Sequence, residues 1–365
     1  MPLPRKTLAM VLTAPRKLEL RELPIPELRD DTALLRVEAC GICGSDAEQY
    51  EGVLRTPLPV IPGHEPLGTI EAIGDEAARR FGVDVGDRVG VETMLPCHHC
   101  DVCRSGAYHL CPRKRIYSYT SLDYRHGLYG AYSQYMVLDP RSIVHRIDPT
   151  LPPEIAVMFN PLGAGYRWAV EIPGTGPGDT VLILGPGQRG LASVIAAREA
   201  GAARILVTGL AADARKLEIA REFGADETID VDDEDLRARV RELTDGRGAD
   251  VVVEVTSWAT GPVRDSLDCV RPGGTIVLAG VKGFQPVPDF VSDKIVLKEI
   301  QIRGAIGVTS SGYRNAIRLL ESRRVPVERM HTHRFALSEA ELAIRTLARE
   351  IPGEESIHSC LIPET

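Results

Sequence analysis

The sequence predicts an α/β protein in which a β-rich segment precedes a doubly wound parallel sheet. Pro and Gly interrupt roughly the first 150 residues at short intervals, leaving the brief apolar runs that are typical of short strands. From residue 181 onward, apolar runs such as VLILG alternate with helical patterns such as LASVIAAREAG, which indicates parallel strands joined by helices. The turn between these two runs reads GPGQRG, a glycine pattern that fits the carboxyl end of a parallel strand.

The individual elements follow from the same periodicities. Strands are predicted at ALLRVEACGI (33–42), PLGTIEAIG (66–74) and DRVGVET (87–93), and residues 75–81 are interpreted as a loop. A Pro-Pro start and helical spacing predict two short helices within residues 151–171. Toward the C-terminus we expect a strand at QIRGAI (301–306), helices around 313–320 and 338–349, and a final short strand.

Length and charge narrow the class of protein. A chain of 365 residues is long enough for two domains with separate cores. The formal net charge is -8 and no long Lys/Arg run occurs, so nucleic acid is not expected as a partner. The N-terminal stretch has neither a secretory h-region nor a run approaching the roughly 18 apolar residues of a membrane span, and we expect a cytoplasmic location.

Half of the eight cysteines stand in one short run, CHHCDVCRSGAYHLC, at positions Cys97, Cys100, Cys103 and Cys111. Four thiolates at this spacing can wrap one tetrahedral zinc ion and leave no open position, which predicts a structural site. An iron–sulfur cluster and a pair of disulfides are the alternatives at this point. The histidines of the same run are interpreted as solvated loop residues: His98, His99 and His109.

Two further short motifs carry metal-ligating side chains. Cys43 lies in CGICGSD (40–46), and His64 and Glu65 lie in PGHEPLG (62–68). A thiolate and an imidazole on one small β-rich domain can share a second zinc ion. Of the neighbouring carboxylates, Asp46 and Glu65, one can accept the imidazole N–H and the other can exchange with water at the metal.

The glycine-rich turn predicts a dinucleotide site. Gly185 permits the tight turn, Gly187 lets the backbone approach a pyrophosphate, and Gly190 lets helix and strand pack closely. The helix that opens at Gln188 and Arg189 offers free N–H groups and the positive end of its dipole to the phosphates.

The end of the next strand bears on the choice between NAD and NADP. Gly209 stands where an NAD-preferring site usually has Asp or Glu, and Arg215 and Lys216 follow shortly after. No carboxylate at this position would repel a 2′-phosphate, which favours NADP. Asp213 can still reach the ribose, and NAD remains the alternative.

Together these motifs resemble the zinc-dependent medium-chain dehydrogenase/reductase superfamily, which includes alcohol, polyol and threonine dehydrogenases. CGICGSD, PGHEPLG, CHHCDVCRSGAYHLC, VLILGPGQRG and RPGGTIVLAG (271–280) occur in the family's order along nearly the whole chain. The resemblance implies a GroES-like catalytic domain at 1–158 and 301–365, with a structural zinc lobe at 97–111. It also implies a Rossmann domain at 159–300, and a homodimer or homotetramer.

The resemblance further implies roles for residues beside the second metal site. Cys43 and His64 match ligands of a catalytic zinc, Glu65 matches the adjacent carboxylate, and Ser45 matches the hydroxyl that passes the alcohol proton outward. Asn160 stands where the family usually has Cys, Asp or Glu. Three possibilities stay open: Glu65 coordinates zinc directly, Asn160 binds it weakly, or the catalytic zinc is partly lost.

Glu48 stands where some alcohol dehydrogenases carry a relay histidine, and it is a candidate for passing the proton to solvent. The resulting hypothesis is a zinc-dependent oxidoreductase that transfers a hydride between a secondary alcohol or polyol and NAD(P). Its small-molecule partner is therefore an alcohol or ketone. A zinc-independent quinone or enone reductase of the same fold, and a non-enzymatic nucleotide-binding protein, are the alternatives.

Overall fold

A computed structural model describes residues 3–363, which fold into two compact units. The first, called the β-rich unit below, contains the residues up to Asn160, residues 320–322 and the residues from His331 onward. The second, the parallel-sheet unit, contains residues 161–319 and 323–330. No helix within residues 3–363 combines the length and the apolar character that crossing a lipid bilayer would need.

The β-rich unit is built on a sheet that has seven strands in the described part of the chain. Strands His331–Ala336 and His358–Ile362 are parallel to each other, and all other neighbouring strands are antiparallel. Six form a continuous path: His331–Ala336, His358–Ile362, Ala33–Gly41, Pro66–Ile73, Arg88–Val91 and Val144–Arg146. The seventh, Tyr135–Leu138, also pairs with Ala33–Gly41.

The remaining elements of this unit surround the sheet. Lys6–Ala14 and Lys17–Pro24 form an antiparallel hairpin, and Met94–Leu95 pairs with Arg115–Ile116 at the two ends of the four-cysteine segment. The helices are Gly44–Tyr50, Asp75–Phe81, Asp101–Arg104, Pro153–Ala156 and Ala340–Leu347, with 3-10 turns at Tyr108–Leu110 and Leu337–Glu339. Helix Phe159–Tyr166 begins at the end of the unit.

Successive side chains of a strand point to opposite faces of the sheet, and the buried apolar ones form the core of the β-rich unit. Leu35, Val37, Ile70, Val89 and Met136 are essentially inaccessible to solvent and belong to one apolar cluster. Each side chain of this size stabilises the fold by about 1.5–3 kcal/mol when it leaves water. This rigid sheet carries the loops on which the metal-ligating residues stand.

The parallel-sheet unit has six strands among the described residues, and every pair is parallel. Their order is Glu227–Asp230, Arg204–Gly209, Thr180–Leu184, Ala249–Glu254, Val270–Leu278 and Gln301–Gly304. The helices are Gln188–Glu199, Ala214–Glu222, Leu236–Leu243, Gly261–Cys269, Asp293–Lys298 and Ser310–Ser322, of which the last ends in residues 320–322 of the β-rich unit. Arg167–Glu171 is a π-helical turn, and Ala211–Asp213 and Val327–Met330 are 3-10 turns. Strand order reverses between Thr180–Leu184 and Ala249–Glu254, and open α/β sheets bind ligands at the carboxyl ends of the strands at such a point.

The structure differs from the sequence-based expectation in two places. The chain returns to the β-rich unit at His331 rather than at residue 301, because Gln301–Gly304 extends the parallel sheet beside Val270–Leu278. Residues 75–81 form a helix rather than a loop. Its ends carry the usual signals, with acidic residues in the first turn and Gly82 in the left-handed conformation after the last.

Candidate active site

The sulfur atoms of Cys97, Cys100, Cys103 and Cys111 converge in the zinc lobe, residues 97–111, where all lie within 4.8 Å of one another. The separation is 3.5 Å between Cys100 and Cys103, and 3.9 Å for both Cys97–Cys103 and Cys100–Cys111. Sulfur atoms at about 2.3 Å from a tetrahedral zinc ion lie about 3.8 Å apart. The four thiols therefore fit one zinc ion.

Local backbone contacts prepare these thiols to act as thiolates. The His99 backbone N–H lowers the pKa of the Cys97 thiol to about 6, and the Cys97 N–H donates to Cys111 Sγ at 3.4 Å. Burial raises the pKa of Cys103 to about 12, a cost that a bound cation would offset. His98 and His99 are exposed as expected, but the expectation for His109 was wrong because its side chain is buried.

A buried glutamate attaches the zinc lobe to the sheet of the β-rich unit. Glu92 follows strand Arg88–Val91 and is 1% exposed. One of its carboxylate oxygens accepts the Tyr108 hydroxyl at 2.7 Å, and the other lies 2.8 Å from His145 Nε2. Sequence reasoning missed this group because its partners are distant in the chain and follow no local pattern.

Cys43, His64 and Glu65 form a second cluster, with one ligand atom of each within 4.8 Å of the others. Cys43 precedes helix Gly44–Tyr50, and its N–H donates to Asp46 Oδ2 at 2.8 Å. His64 and Glu65 precede strand Pro66–Ile73, and the backbone carbonyl of His64 accepts the Thr93 hydroxyl at 2.8 Å. A Cβ at Gly41 would collide with the Glu65 carboxylate, so a larger residue there would displace this carboxylate from the cluster.

The imidazole of His64 is oriented from both sides. Its Nδ1 lies 3.2 Å from Asp46 Oδ1, while its Nε2 lies 3.3 Å from Ser45 Oγ and 3.9 Å from Glu65 Oε1. Burial opposes a charge on this ring, yet Asp46 and then Cys43 raise the pKa of His64 well above its usual value. Asp46 thus holds Nδ1 and leaves Nε2 facing Cys43 and Glu65, as in a metal-ligating histidine.

The donor set and its burial fit a divalent cation. Asp46 and Glu65 are 1% and 0% exposed, and the Cys43 thiol hydrogen-bonds to the His64 ring. Two buried carboxylates next to a thiol are costly without a compensating positive charge. A soft sulfur, an imidazole nitrogen and a carboxylate oxygen together match the preference of zinc.

Asn160 is buried in the β-rich unit, beside the strands that follow the second metal cluster. It follows Phe159, whose ring covers Gly90, and Gly90 is paired with Leu67 just after His64 and Glu65. The Asn160 side chain is 2% exposed. Its role as a ligand stays a prediction.

Glu48 lies one helical turn beyond Ser45 on helix Gly44–Tyr50, and residues at this spacing share a helix face. Its side chain is 5% exposed. Burial, reinforced by the neighbouring Cys43 thiolate, raises the pKa of Glu48 to about 7. A carboxyl group with this pKa can give and take protons near neutral pH.

In the parallel-sheet unit, residues 185–190 form the phosphate turn at the end of strand Thr180–Leu184. Gly185 has a φ of 108°, which glycine alone adopts readily, and a Cβ at Gly190 would collide with the Gly185 carbonyl. Gly187 is exposed, and a Cβ there would meet nothing within 4 Å. The turn therefore presents open space at Gly187, directly before the N-terminus of the 12-residue helix Gln188–Glu199.

The first two residues of that helix are held in different ways. Gln188 is buried, and the Arg189 guanidinium lies over the Trp168 ring at 5.5 Å from its centroid. Both backbone N–H groups lie in the first turn of the helix, at the positive end of its dipole. The phosphate turn thus has the donors that a pyrophosphate requires.

Gly209 ends the adjacent strand Arg204–Gly209, and the turn after it is organised by a buried ion pair. Lys216 Nζ lies 3.1 Å from Asp213 Oδ1, while Asp213 Oδ2 accepts the Leu210 N–H at 3.3 Å. Lys216 is therefore engaged within the protein rather than open to a phosphate. Arg215 is exposed.

Comparison with known proteins agrees with this geometry. Residues 29–149 match the model of the alcohol dehydrogenase GroES-like domain, and residues 190–322 match that of the zinc-binding dehydrogenase family. The chain is 46% identical to the "Probable alcohol dehydrogenase" of Mycobacterium tuberculosis, over 97% of this chain and 98% of that one. It is 34% identical to the erythritol/L-threitol dehydrogenase of Mycolicibacterium smegmatis, over 99% and 98% of the two chains.

The solved structures agree as well. A crystal structure of an alcohol dehydrogenase from Thermotoga maritima matches with a TM-score of 0.89 and 28% identity. The match covers 98% of this chain and 100% of that one. The expected fold class, a GroES-like domain with a parallel Rossmann sheet, is confirmed.

Proposed function

Because this chain belongs to the zinc-binding dehydrogenases with an alcohol dehydrogenase GroES-like domain, we propose that it transfers a hydride between a secondary alcohol or polyol and NAD(P). Relatives named as alcohol and erythritol/L-threitol dehydrogenases support this class of reaction. The observation that carries the proposal is the buried cluster of Cys43, His64 and Glu65, whose ligand atoms lie within 4.8 Å of one another. A zinc-independent reductase or a non-enzymatic protein would have no use for it.

We propose that Cys43 Sγ, His64 Nε2 and a Glu65 oxygen hold the catalytic zinc ion. Zinc bound there supplies Lewis acidity to the oxygen of the alcohol. Glu65 is preferred over Asn160 as the third ligand because its carboxylate is anionic, fully buried and already 3.9 Å from His64 Nε2. The four thiolates of the zinc lobe would saturate a second ion, whose role is structural.

We propose that Ser45 relays the proton of the substrate hydroxyl: its Oγ, 3.3 Å from His64 Nε2, accepts that proton while the serine hydroxyl releases its own proton towards Glu48. Glu48 lies on the same helix face and takes the proton next. Its raised pKa, about 7, makes it a suitable base at neutral pH.

The phosphate turn is proposed to bind the pyrophosphate of the dinucleotide, whose nicotinamide supplies the hydride acceptor. Gly187 leaves the space for close approach, and the Gln188 and Arg189 N–H groups donate. For the choice of cofactor we propose NADP. Lys216 neutralises the Asp213 carboxylate, so this acid does not repel a 2′-phosphate, and Arg215 is exposed nearby to contact one.

We propose that the protein is a homodimer formed through its parallel-sheet unit. Within the described residues, strand Gln301–Gly304 is one of the two edges of the parallel sheet, and an open edge invites pairing with another copy. Large apolar side chains are exposed along the segment before it; they are Val281, Phe284, Phe290, Val291, Val296 and Leu297. Such a patch marks an interaction surface, and two-fold dimers are the commonest closed assembly.

Metal analysis and an oxidation assay test the function together. We expect two zinc ions per chain and NAD(P)H formation from secondary alcohols or polyols, followed at the nicotinamide absorbance band. Cys43→Ala should abolish turnover and remove one of the two ions, whereas Cys269→Ala, a cysteine change in the parallel-sheet unit, should do neither. A wild type that holds only one zinc ion per chain, together with unchanged turnover in Cys43→Ala, would exclude the proposed zinc chemistry.

A further inference from the structure

A tyrosine beside the metal cluster has no role in the function proposed above. The ring of Tyr119 meets the His64 ring edge to face, with centroids 6.4 Å apart and planes at 63°. Its hydroxyl forms a hydrogen bond with the Ser45 side chain. Tyr119 is half-buried, so its outer surface is accessible. His64, Ser45 and Tyr119 are therefore joined by successive polar contacts, from the imidazole to the tyrosine hydroxyl.

The helix that carries Ser45 also fixes the position of Tyr119. Gln49 is 2% exposed, and its side-chain amide donates to the backbone carbonyl of Ser118 at 2.6 Å. Ser118 has a φ of 69°, an unfavourable conformation for a residue other than glycine, and its N–H donates to the Tyr129 carbonyl at 2.7 Å. A buried clamp of this kind holds Tyr119 in one place relative to Ser45.

Tyr119 adds a second polar oxygen to the substrate side of the metal cluster. Ser45 is the group proposed to meet the reacting hydroxyl, and the Tyr119 hydroxyl is its hydrogen-bond partner. Two hydroxyls on neighbouring carbon atoms of a substrate also lie close together, so they can reach two protein hydroxyls that are hydrogen-bonded to each other. A diol can therefore present one oxygen to Ser45 and its neighbour to Tyr119.

We propose that Tyr119 is a specificity-determining residue that binds the hydroxyl next to the reacting one, so that the enzyme prefers vicinal diols and polyols over simple secondary alcohols. This inference rests on the alcohol dehydrogenase function proposed above. A purely structural tyrosine would hold Ser45 equally for every alcohol, whereas a diol-binding tyrosine favours only substrates that carry the second hydroxyl.

The test compares 2,3-butanediol with 2-butanol, which have the same carbon skeleton, for the zinc-loaded wild type and Tyr119→Phe. Wild type should show a kcat/KM for the diol at least tenfold above that for the monool. Tyr119→Phe should lower the diol value by about tenfold, mainly through KM, and change the monool value less than threefold. Tyr124→Phe removes the same atom from the same segment away from Ser45 and should leave both values unchanged.

Equal losses for diol and monool in Tyr119→Phe would assign the hydroxyl to Ser45 alone and overturn the inference. Equal wild-type rates for the two substrates would also overturn it, while the alcohol dehydrogenase function would stand. Absence of NAD(P)H formation from any secondary alcohol or polyol would instead overturn the proposed function, and this inference with it. Zinc content measured on each variant ensures that a loss of metal is not read as a change of specificity.

Discussion

The carboxylate of Asp46 bridges the two halves of the second metal cluster: one oxygen lies 3.2 Å from His64 Nδ1 and the other accepts the Cys43 N–H at 2.8 Å. Asp46 is 1% exposed, so both contacts are shielded from water. The same residue thus sets the orientation of the ligating imidazole and the position of the ligating thiol. Groups that orient ligands in this way contribute strongly to metal affinity.

Asp46→Asn should therefore weaken zinc binding at Cys43 and His64 by about 10- to 100-fold and lower kcat in parallel. The amide can still accept one hydrogen bond, so the fold is expected to survive. Zinc content after dialysis against a chelator, with activity measured on the same samples, checks this. Asp75→Asn, a change on an exposed helix of the same unit, is the control, and full retention of both zinc ions in Asp46→Asn would contradict the prediction.

The pH dependence should report Glu48. Because burial raises its pKa to about 7, Glu48 is protonated below this pH and cannot accept the substrate proton. We expect kcat/KM for alcohol oxidation to rise through pH 7 and level off above it. Glu48→Gln should remove this limb and lower the plateau by about tenfold or more, since general-base catalysis contributes roughly 10²–10⁴-fold.

Glu51→Gln provides the matched control for the pH profile, since Glu51 directly follows the same helix and pairs with Arg16 at the surface. Its profile should coincide with that of the wild type. An unchanged limb near pH 7 in Glu48→Gln would show that the proton leaves by another route.

The zinc lobe should act as a structural element. Cys103→Ser removes one of four thiolates, and we expect the variant to lose the lobe's zinc ion and to melt several degrees below the wild type, because metal binding at such a site is part of the folding free energy. Cys269→Ser, a buried cysteine outside both clusters, should retain two zinc ions. Calorimetry with metal analysis measures both; a Cys103→Ser protein with unchanged zinc content would be the contrary result.

Alanine substitutions at two glycines of the phosphate turn should have different effects, one on cofactor binding and the other on stability. A Cβ at Gly187 meets nothing within 4 Å, so Gly187→Ala should leave the melting temperature unchanged but raise the Kd for NAD(P)H about tenfold or more by obstructing the phosphate. A Cβ at Gly190 collides with the Gly185 carbonyl, so Gly190→Ala should destabilise the unit by about 1–3 kcal/mol. Cofactor titration by fluorescence and thermal melts distinguish the two; tight binding by Gly187→Ala would refute the assignment.

Part of this architecture could be read from the sequence because local patterns suffice for it. The five residues Thr180–Leu184 are all buried, and a continuous apolar run of this length is characteristic of a central parallel strand. The spacing of the cysteines in the zinc lobe likewise indicates one common ion. In both cases neighbours in the sequence are also neighbours in the site.

Other features depend on contacts between distant segments. Glu92 and His145 come together because strand Arg88–Val91 pairs with Val144–Arg146, and Tyr108 of the zinc lobe reaches Glu92 from a distant part of the chain. The membership of Gln301–Gly304 in the parallel sheet depends on its pairing with Val270–Leu278, which its short, polar sequence does not reveal. The helix at Asp75–Phe81 did have readable capping signals, which its short length and flanking strands obscured.

The last prediction concerns the cofactor. Arg215 is an exposed cation on helix Ala214–Glu222, close to the end of strand Arg204–Gly209, whereas Lys216 is committed to Asp213. We expect Arg215→Ala to lower kcat/KM for NADP about tenfold, the loss of one charge-assisted contact with the 2′-phosphate, and to leave the value for NAD unchanged. Arg221→Ala, an exposed arginine in the last turn of the same helix, should change neither value. Steady-state rates measured with both cofactors test this prediction. A wild type that uses NAD far better than NADP would refute the role of Arg215, as would an Arg215→Ala variant whose kcat/KM falls equally with both cofactors. Only a contact with the 2′-phosphate itself distinguishes the two dinucleotides.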